Sequence, residues 1–404
     1  MVYESYLQVV QKDGSAGIDK QSIEMFNASM SANLYKLWNR MTSGSYFPPP
    51  VRTVFIPKKQ GGLRPLGIPT VSDRIAQGVV KNHLEPAFEA IFHNSSFGYR
   101  PGRSAHDALV QCRNNCISYA WVLDVDIKGF FDNISHEILI NLLSSHNTDK
   151  WAMMYIERWL KAGVEQADGS IAQRERGTPQ GGVISPLLAN VYLHHAFDNW
   201  MRENFPNNPF ERYADDIVIH CTSKEQALHL HAALEQRMQT FELTLHPEKT
   251  KIVYCKNYLR KEKHEQESFT FLSYTFKPRS KADNFGRSGN TYTVFAPAIS
   301  SKAKTSIREA IRTVMPRRWS VQTVEWFAAR LNPKIRGWIN YYSKFYRHEA
   351  LDVFRYLNER IMRWMSNKYK IRSGTRLQQK FKTLIEQQPA LFYHWTLGVK
   401  VGFR

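Results

Sequence analysis

The chain has 404 residues, with 55 Lys+Arg against 36 Asp+Glu, a net charge of +19, and 43% hydrophobic residues. That composition excludes disordered, collagen-like and fibrous chains, and the length suffices for more than one core. The 4 cysteines exclude a disulfide scaffold and fit a reducing compartment.

Residues 1–45 read as helical, with a loop at Asp13-Gly14-Ser15-Ala16-Gly17, and Pro48-Pro49-Pro50 ends that stretch. Val51 to Ile56 alternates like a strand, residues 57–62 form a Gly-Gly turn, and Leu63 to Ile68 returns as the second arm of a hairpin. Residues 72–91 read as a helix, 121–127 as a strand and 186–201 as a helix; 211–221 read as two short strands around a tight turn. Beyond residue 300 the apolar period is helical: Val324, Phe327, Leu331, Ile335, Trp338, Tyr342 and Phe345 recur at three- and four-residue steps. Pro333 is expected to split that stretch into two helices. The expected fold is a mixed α/β (α+β) body over residues 1–285 followed by an all-helical domain over 286–404. The opening MVYESYLQVVQKDG is neither a signal peptide nor a transit peptide. No apolar run is long enough to cross a membrane, so the expected location is cytoplasmic, with no membrane partner.

The charge is unevenly placed. Residues 281–404 hold 24 Lys+Arg and 7 Asp+Glu, which is +17 of the total +19. The basic residues alternate with aromatics, as at Arg317-Arg318-Trp319, Arg336 near Trp338, and Arg363-Trp364. Cations that meet phosphates, interleaved with rings that stack on bases, form a nucleic-acid footprint.

In the strand 121–127, Leu123, Val125 and Ile127 face one way and Asp124 and Asp126 the other. A carboxylate on an apolar strand is unfavourable unless paired or metal-bound. Asp215-Asp216 at the second turn are also crowded, and a cation beside them offsets their repulsion. Carboxylates from two adjacent strands suit Mg²⁺, which combines a few carboxylates with substrate phosphates. Two such ions about 3.5–4 Å apart serve in-line displacement at phosphorus.

Seven blocks then occur in order: Ile56-Pro57-Lys58 with Gly61 to Pro69; Ser96 to His106; Asp126-Ile127-Lys128-Gly129-Phe130-Phe131-Asp132; Gly177 to Gly182 with Ser185-Pro186-Leu187; Tyr213-Ala214-Asp215-Asp216; Pro247 to Lys251; and Arg336 to Tyr342. With these blocks the chain resembles the reverse transcriptases encoded by group II introns. The resemblance implies a right-hand polymerase, with fingers, an antiparallel palm sheet and a helical thumb called domain X. It implies an RNA-directed DNA polymerase that extends a DNA primer on an RNA template from dNTPs, and a maturase that binds intron RNA and promotes splicing. By matching motifs, Asp126, Asp215 and Asp216 are the catalytic carboxylates and, with Ile127, the ligands of two Mg²⁺. Phe131, five residues after Asp126, falls at the family's steric gate against a 2′-hydroxyl, with Phe130 as the core ring beside it.

Lys58 and Arg64 flank the Gly-Gly turn and are positioned to hold a triphosphate. Gln180 lies in a loop that approaches the incoming base pair, and Ser185 is expected to cap the helix that follows, with Pro186 at its first position. Lys249 is the candidate general acid for the pyrophosphate leaving group, with Lys251 two residues away. Arg317, Arg318, Arg336 and Arg363 are the candidate nucleic-acid contacts. Phe271-Leu272-Ser273 departs from the family's Phe-Leu-Gly, so the turn before Tyr274 is expected to differ. No cysteine follows residue 260, which implies the form lacking the family's HNH endonuclease. The alternatives are a free-standing relative serving host defence or DNA repair, or a splicing factor that mainly binds RNA.

Overall fold

A computed structural model of the chain describes residues 1–57, 63–166, 168–282, 291–316 and 321–399. Packing divides the chain into Met1–Ala108 with Trp121–Ile252, and Leu109–Ala120 with Val253–Arg404.

The first unit opens with α1 (Val2–Gln11), α2 (Ile23–Asn27) and α3 (Met30–Thr42), followed by strands β1 (Arg52–Pro57) and β2 (Leu63–Ile68). These two strands pair antiparallel, Arg52 opposite Ile68 through Pro57 opposite Leu63, as the alternation predicts. Next come α4 (Val71–Glu89), α5 (Ala105–Ser118), which belongs to the second unit from Leu109 on, then β3 (Trp121–Asp126), α6 (Phe130–Asn133), α7 (His136–Ser145) and α8 (Lys150–Lys161). Then follow β4 (Val164–Glu165), β5 (Ile171–Ala172), α9 (Ser185–Leu193), α10 (Asn199–Asn204), β6 (Phe210–Tyr213), β7 (Asp216–Cys221), α11 (Lys224–Thr240) and β8 (Lys251–Tyr254). Among the described residues, the central sheet has the order β6-β7-β3-β8. Val122, Leu123 and Val125 of β3 and Ile217, Val218 and Ile219 of β7 are almost fully buried, which anchors the sheet in the core. Each such side chain contributes about 1.5–3 kcal/mol by burial.

The expected helix over 186–201 begins one residue earlier, and Ser185 is its first residue rather than its cap. No side chain caps this helix; the Leu187 and Leu188 N–H groups donate to the Ile184 carbonyl at 3.0 and 3.2 Å. The entering chain is held from α4, where the Gln77 Oε1 accepts the N–H groups of Val183 at 2.7 Å and Ile184 at 3.3 Å. Between α9 and α10 the chain makes a π-helical turn over His194–Asp198.

The wider π turn precedes the main brace of this unit. Arg212 and Asp198 are both 0% exposed. Arg212 donates to Asp198 from Nε at 2.7 Å and from Nη2 at 2.6 Å. Its Nη1 donates to the Asn190 Oδ1 at 2.9 Å and to the Ala214 carbonyl at 3.2 Å. Asn190 in turn donates to the Gly98 carbonyl at 2.8 Å. The Arg212 backbone joins the same assembly, accepting from Phe97 N at 2.8 Å and donating to the Ser95 carbonyl at 2.9 Å. Burial pushes the Asp198 carboxyl up, but the charge and hydrogen bonds of Arg212 outweigh that and hold it below its ordinary value.

The second unit holds β9 (Phe269–Phe271), β10 (Tyr274–Ala282) and β11 (Thr291–Ile299), in the order β11-β10-β9. It continues with α12 (Ser301–Val314), α13 (Val324–Tyr342), α14 (Arg347–Leu351), α15 (Arg355–Tyr369), α16 (Gly374–Gln387) and α17 (Tyr393–Thr396). Phe327, Leu331, Ile335, Phe354, Leu357, Ile361, Phe381 and Phe392 form the centre of its helical core.

Pro333 does not split α13, which runs unbroken from Val324 to Tyr342. The carbonyl that Pro333 leaves without a donor belongs to exposed Ala329, so water can satisfy it. Meanwhile Phe327, Leu331, Ile335 and Ile339 keep both halves on one core.

Compactness draws its line at 252/253 rather than at the expected 285/286. The reason is that β9 and β10 are tied to the helices that follow. Tyr274 donates its hydroxyl to the Tyr341 carbonyl, and Tyr341 donates back to the Leu272 carbonyl at 2.9 Å. Arg279 on β10 pairs with Glu349 on α14. The Leu272-Ser273 turn is left-handed at both residues, with φ of 49° and 67°. Such backbone favours glycine, and the Tyr341 bond and the Ser300 N–H donating to the Ser273 carbonyl at 3.0 Å hold it here without one.

Replacing Arg212 by Met strands Asp198 in the core. Breaking a buried pair in this way should cost about 3–5 kcal/mol. Because the folded Asp198 pKa is depressed, its contribution is present above the unfolded carboxylate pKa and lost as pH falls through the folded one. Urea denaturation at neutral pH and at pH about 3 should therefore show a larger gap between wild type and Arg212→Met at neutral pH. A neutral-pH loss under about 1 kcal/mol would remove the brace from the account.

Candidate active site

Strand β3 runs antiparallel to β7 with Asp126 directly opposite Asp216, and Asp124 opposite Val218. Directly opposite residues share a sheet face, so Asp124, Asp126 and Asp216 lie on one face. Asp215 precedes β7 in the two-residue turn between Tyr213 and Asp216. Ala214, the other turn residue, takes φ +57°, a conformation that costs an alanine roughly 1–3 kcal/mol. The brace from Arg212 to the Ala214 carbonyl holds that turn. Gly98 packs so closely beneath it that a Cβ there would lie 2.4 Å from the Ala214 nitrogen.

The Asp124 carboxyl is pushed well above its usual range, first by burial and then by the negative charges of Asp216 and Asp126, with Lys251 opposing. Three carboxyls thus share this face, with Lys251 as the opposing cation. Asp126, Asp215 and Asp216 offer carboxylate oxygens. The Ile127 side chain is 3% exposed, so this residue can offer only its carbonyl. An all-oxygen set where carboxyls cluster fits a hard divalent cation.

The segment after Leu245 fixes the lysine. His246 N–H donates to the Asp126 carbonyl at 2.7 Å, and the turn closes with Thr250 N–H donating to the His246 carbonyl at 2.9 Å. Lys249 Nζ then lies 3.4 Å from the Asp126 Oδ1. Lys251 sits on β8 and acts on Asp124 instead. The two lysines are therefore distinguished by the carboxylate each addresses.

Phe130 is 1% exposed and belongs to the core, while Phe131 is half-buried and meets it edge-on at 5.4 Å between ring centroids. The loop carrying Gln180 binds to the same segment: Thr178 N–H donates to the Phe131 carbonyl at 2.8 Å, and Gln180 Nε2 lies 3.4 Å from both Asp132 carboxylate oxygens. The hairpin is drawn in as well, since Gly67 N–H donates to the Gln180 carbonyl at 2.7 Å. Gly181 takes φ +118°, and a Cβ on it would meet the Gly67 oxygen at 2.2 Å, so only glycine fits. Arg64 is in β2 opposite Ile56; its side chain, and Lys58 altogether, lie outside the described residues.

The structure thus brings together Asp126, Asp215, Asp216 and Lys249, and separately links Phe131, Gln180 and β2. Arg336 is exposed on α13, its guanidinium 4.9 Å from the Tyr393 ring centroid. Arg363 is exposed on α15 beside Trp364, which is 7% exposed. Arg317 and Arg318 lie outside the described residues. The sequence reading missed Arg212, Asp198, Asn190, Gln77 and Gly98, which position the site rather than line it. A charged residue inside an otherwise buried strand was the one available signal, at Arg212.

Gly98→Ala should destabilise the fold by about 1–3 kcal/mol, because the new methyl meets backbone that cannot yield. Gly337→Ala on α13, where a Cβ meets nothing within 4 Å, should instead be neutral or stabilising by up to about 1 kcal/mol. Denaturation midpoints of the two variants check this, and equal effects would remove the close approach at Gly98 from the argument.

Comparison with known proteins bears on what this arrangement is. The sequence matches the family reverse transcriptase (RNA-dependent DNA polymerase) over residues 56–276, and the group II intron maturase-specific domain over residues 304–382. Protein YkfC of Escherichia coli K12 is 34% identical over 238 residues, 50% of this chain and 62% of that protein. The group II intron-encoded protein LtrA of Lactococcus lactis subsp. cremoris is 37% identical over 195 residues, 48% of this chain and 32% of that protein. A solved structure of Candida albicans telomerase in complex with a TWJ fragment of telomeric RNA aligns with TM-score 0.47 at 12% identity, over 91% of this chain and 69% of that one. The chain spans less than two thirds of the length of either curated relative. With the first family match extending over more than half of its residues, the chain belongs to the reverse transcriptase family, in its group II intron form with a maturase-specific domain, and has that family's right-hand polymerase fold.

Proposed function

We propose that the chain is an RNA-directed DNA polymerase that extends a DNA primer on an RNA template from dNTPs, and that it also binds group II intron RNA as a splicing maturase. The observation that carries the polymerase reading is the register of β3 against β7, with Asp126 opposite Asp216 and Asp215 beside it in a braced turn. The maturase reading is supported by the match over 304–382 and by the +17 charge of residues 281–404. Within residues 286–404 the helices from α12 onward make the thumb; the range is not all-helical as expected, because β11 lies in it, and the β6-β7-β3-β8 sheet makes the palm.

Asp126, Asp215, Asp216 and the Ile127 carbonyl are the residues to hold two Mg²⁺. Bound there, the ions stabilise the attacking 3′-oxygen and the leaving pyrophosphate oxygen as a phosphoanhydride bond gives way to a phosphodiester. Lys58 and Arg64 grip the triphosphate. Phe131 lies under the sugar and excludes a 2′-hydroxyl, and Gln180 steadies the incoming pair. Lys249 holds a proton on Nζ for the departing pyrophosphate, and its bond to Asp126 keeps the ammonium at the reacting end. Arg317, Arg318, Arg336 and Arg363 neutralise phosphates of the bound nucleic acid.

Asp215→Asn should lower primer extension on RNA in Mg²⁺ by about a hundredfold or more. RNA affinity should stay near wild type, since the carboxylate attracts cations rather than RNA. Extension within about tenfold of wild type would sink the assignment.

Phe131→Ala should raise incorporation of a ribonucleotide relative to its deoxy partner, read as the ratio of kcat/KM values. An unchanged ratio in an active enzyme would leave Phe131 as packing alone.

A further inference from the structure

The second unit contains a cavity of about 610 Å³ that neither the polymerase nor the maturase reading uses. That volume suits one nucleotide, since small-ligand pockets run about 300–1,000 Å³. Its walls come from the segment of α5 within this unit, from β10 and β11, and from the stretch joining α13 to α14. Arg113, Lys281 and Lys344 supply positive charge, and Tyr258, Tyr292 and Phe345 supply rings. No Asp or Glu lines it among the described residues. Glu349, one residue after the lining His348, is paired with Arg279 and with Lys304 at 3.0 Å, so it does not neutralise the cavity.

Tyr258 and Tyr292 are placed for stacking, while Phe345 is a buried ring of the wall, 8% exposed. Tyr258 is 52% exposed, and it meets Tyr292 edge-on at 5.7 Å and 84°. An edge-on pair leaves a ring face open for a base. The Tyr258 N–H donates to the Thr293 carbonyl at 2.9 Å, which anchors the exposed ring to β11. Arg113 stands 5.9 Å from the Phe345 centroid, so the guanidinium and that ring make one platform. The wall is also strained: Tyr346 takes φ +42°, which a bulky residue adopts at a cost of roughly 1–3 kcal/mol, most often where function requires it. Its buried hydroxyl has no hydrogen-bond partner among the described residues.

We infer that this cavity binds a single unpaired nucleotide of RNA, with its base against Tyr258 and its phosphate among Arg113, Lys281 and Lys344. A free nucleotide shares that chemistry. An inorganic anion would leave the rings unused, and an acidic peptide would find no role for the edge-on pair. The inference deepens the RNA-binding part of the function proposed above, and rests on it, but needs no DNA synthesis.

The test uses the full chain, a fluorescent single-stranded RNA, adenosine monophosphate and a polyglutamate peptide. Tyr258→Ala with Lys344→Gln alters two exposed side chains, and the melting temperature checks that the fold is kept. RNA affinity should fall about tenfold, the usual worth of one stacked base with a phosphate contact. Ultraviolet crosslinking of 4-thiouridine RNA to the wild type should label peptides containing Tyr258 or Tyr292, and this reading stands even where the variant is unstable. If adenosine monophosphate binds with the same sensitivity to the substitutions, the cavity serves free nucleotides as well, and its nucleotide chemistry is upheld. Unchanged affinity for both probes with no crosslink in these peptides would overturn the inference. So would displacement by polyglutamate where neither nucleotide probe responds. Extension of a preannealed primer reports the polymerase reading separately, so failure of one is not failure of the other.

Discussion

A guanidinium with no exposed surface has to find five acceptor directions inside the protein or cost several kcal/mol. Arg212 meets four of the five with both oxygens of Asp198, the Asn190 amide oxygen and the Ala214 carbonyl. Because the last of these belongs to the turn carrying Asp215, satisfying a core charge and shaping the candidate active site are a single event. The turn needs such support: an alanine at positive φ has no local reason to stay there. Strain at the tip is sustained by a buried network at the base, and Gly98 completes the seat by bringing backbone where a side chain would intrude.

What the sequence reveals of this site follows the range of each signal. The alternation of β3 is local, and it reads correctly because one face is core: Leu123 and Val125 are 0% and 1% exposed. The hairpin β1–β2 is likewise local, with its Gly-Gly turn. The brace is not local in the same way. Asp198 lies on a π turn, which departs from the helical spacing that the residues around it suggest. Gln77 holds the chain entering a helix more than a hundred residues later, and no pattern near Ser185 announces it. A serine followed by proline at a helix start is a sound local reading. It fails here because the helix starts one residue earlier, with Ile184 at the cap position and its carbonyl taking the first amides.

Pro333 and the Leu272-Ser273 turn teach the same point from the opposite side. In both places a local rule argues for a break or a glycine, and tertiary contacts override it. In α13 the apolar stripe stays on one core while the freed carbonyl faces water. At Leu272 and Ser273 the left-handed turn is clasped by the Tyr341 hydroxyl and the Ser300 amide. The same clasp keeps β9 and β10 in one compact unit with the helices after them, through the Tyr274 hydroxyl and the Arg279–Glu349 pair. Composition had no means of locating that, since the charge change near residue 281 marks where the basic surface begins rather than where packing separates.

The charge itself is divided in a way that suits two tasks. Apart from residues 281–404, the chain carries 31 basic and 29 acidic side chains, a near balance. A carboxylate cluster in such a body is neutralised by few fixed cations, and Lys249 illustrates how loosely. Its ammonium and the Asp126 carboxylate are 46% and 41% exposed, at 3.4 Å, a geometry that adds little stability in water. The backbone turn from His246 to Thr250 sets where Lys249 begins, and its four-carbon stem sets how far the charge reaches. A weak pair on a fixed base can be exchanged for a phosphate oxygen without unfolding anything around it. A buried, bidentate pair such as Arg212–Asp198 cannot. The two ion pairs therefore differ in kind: the buried one holds the turn that carries Asp215, and the exposed one leaves the Lys249 ammonium able to change partners.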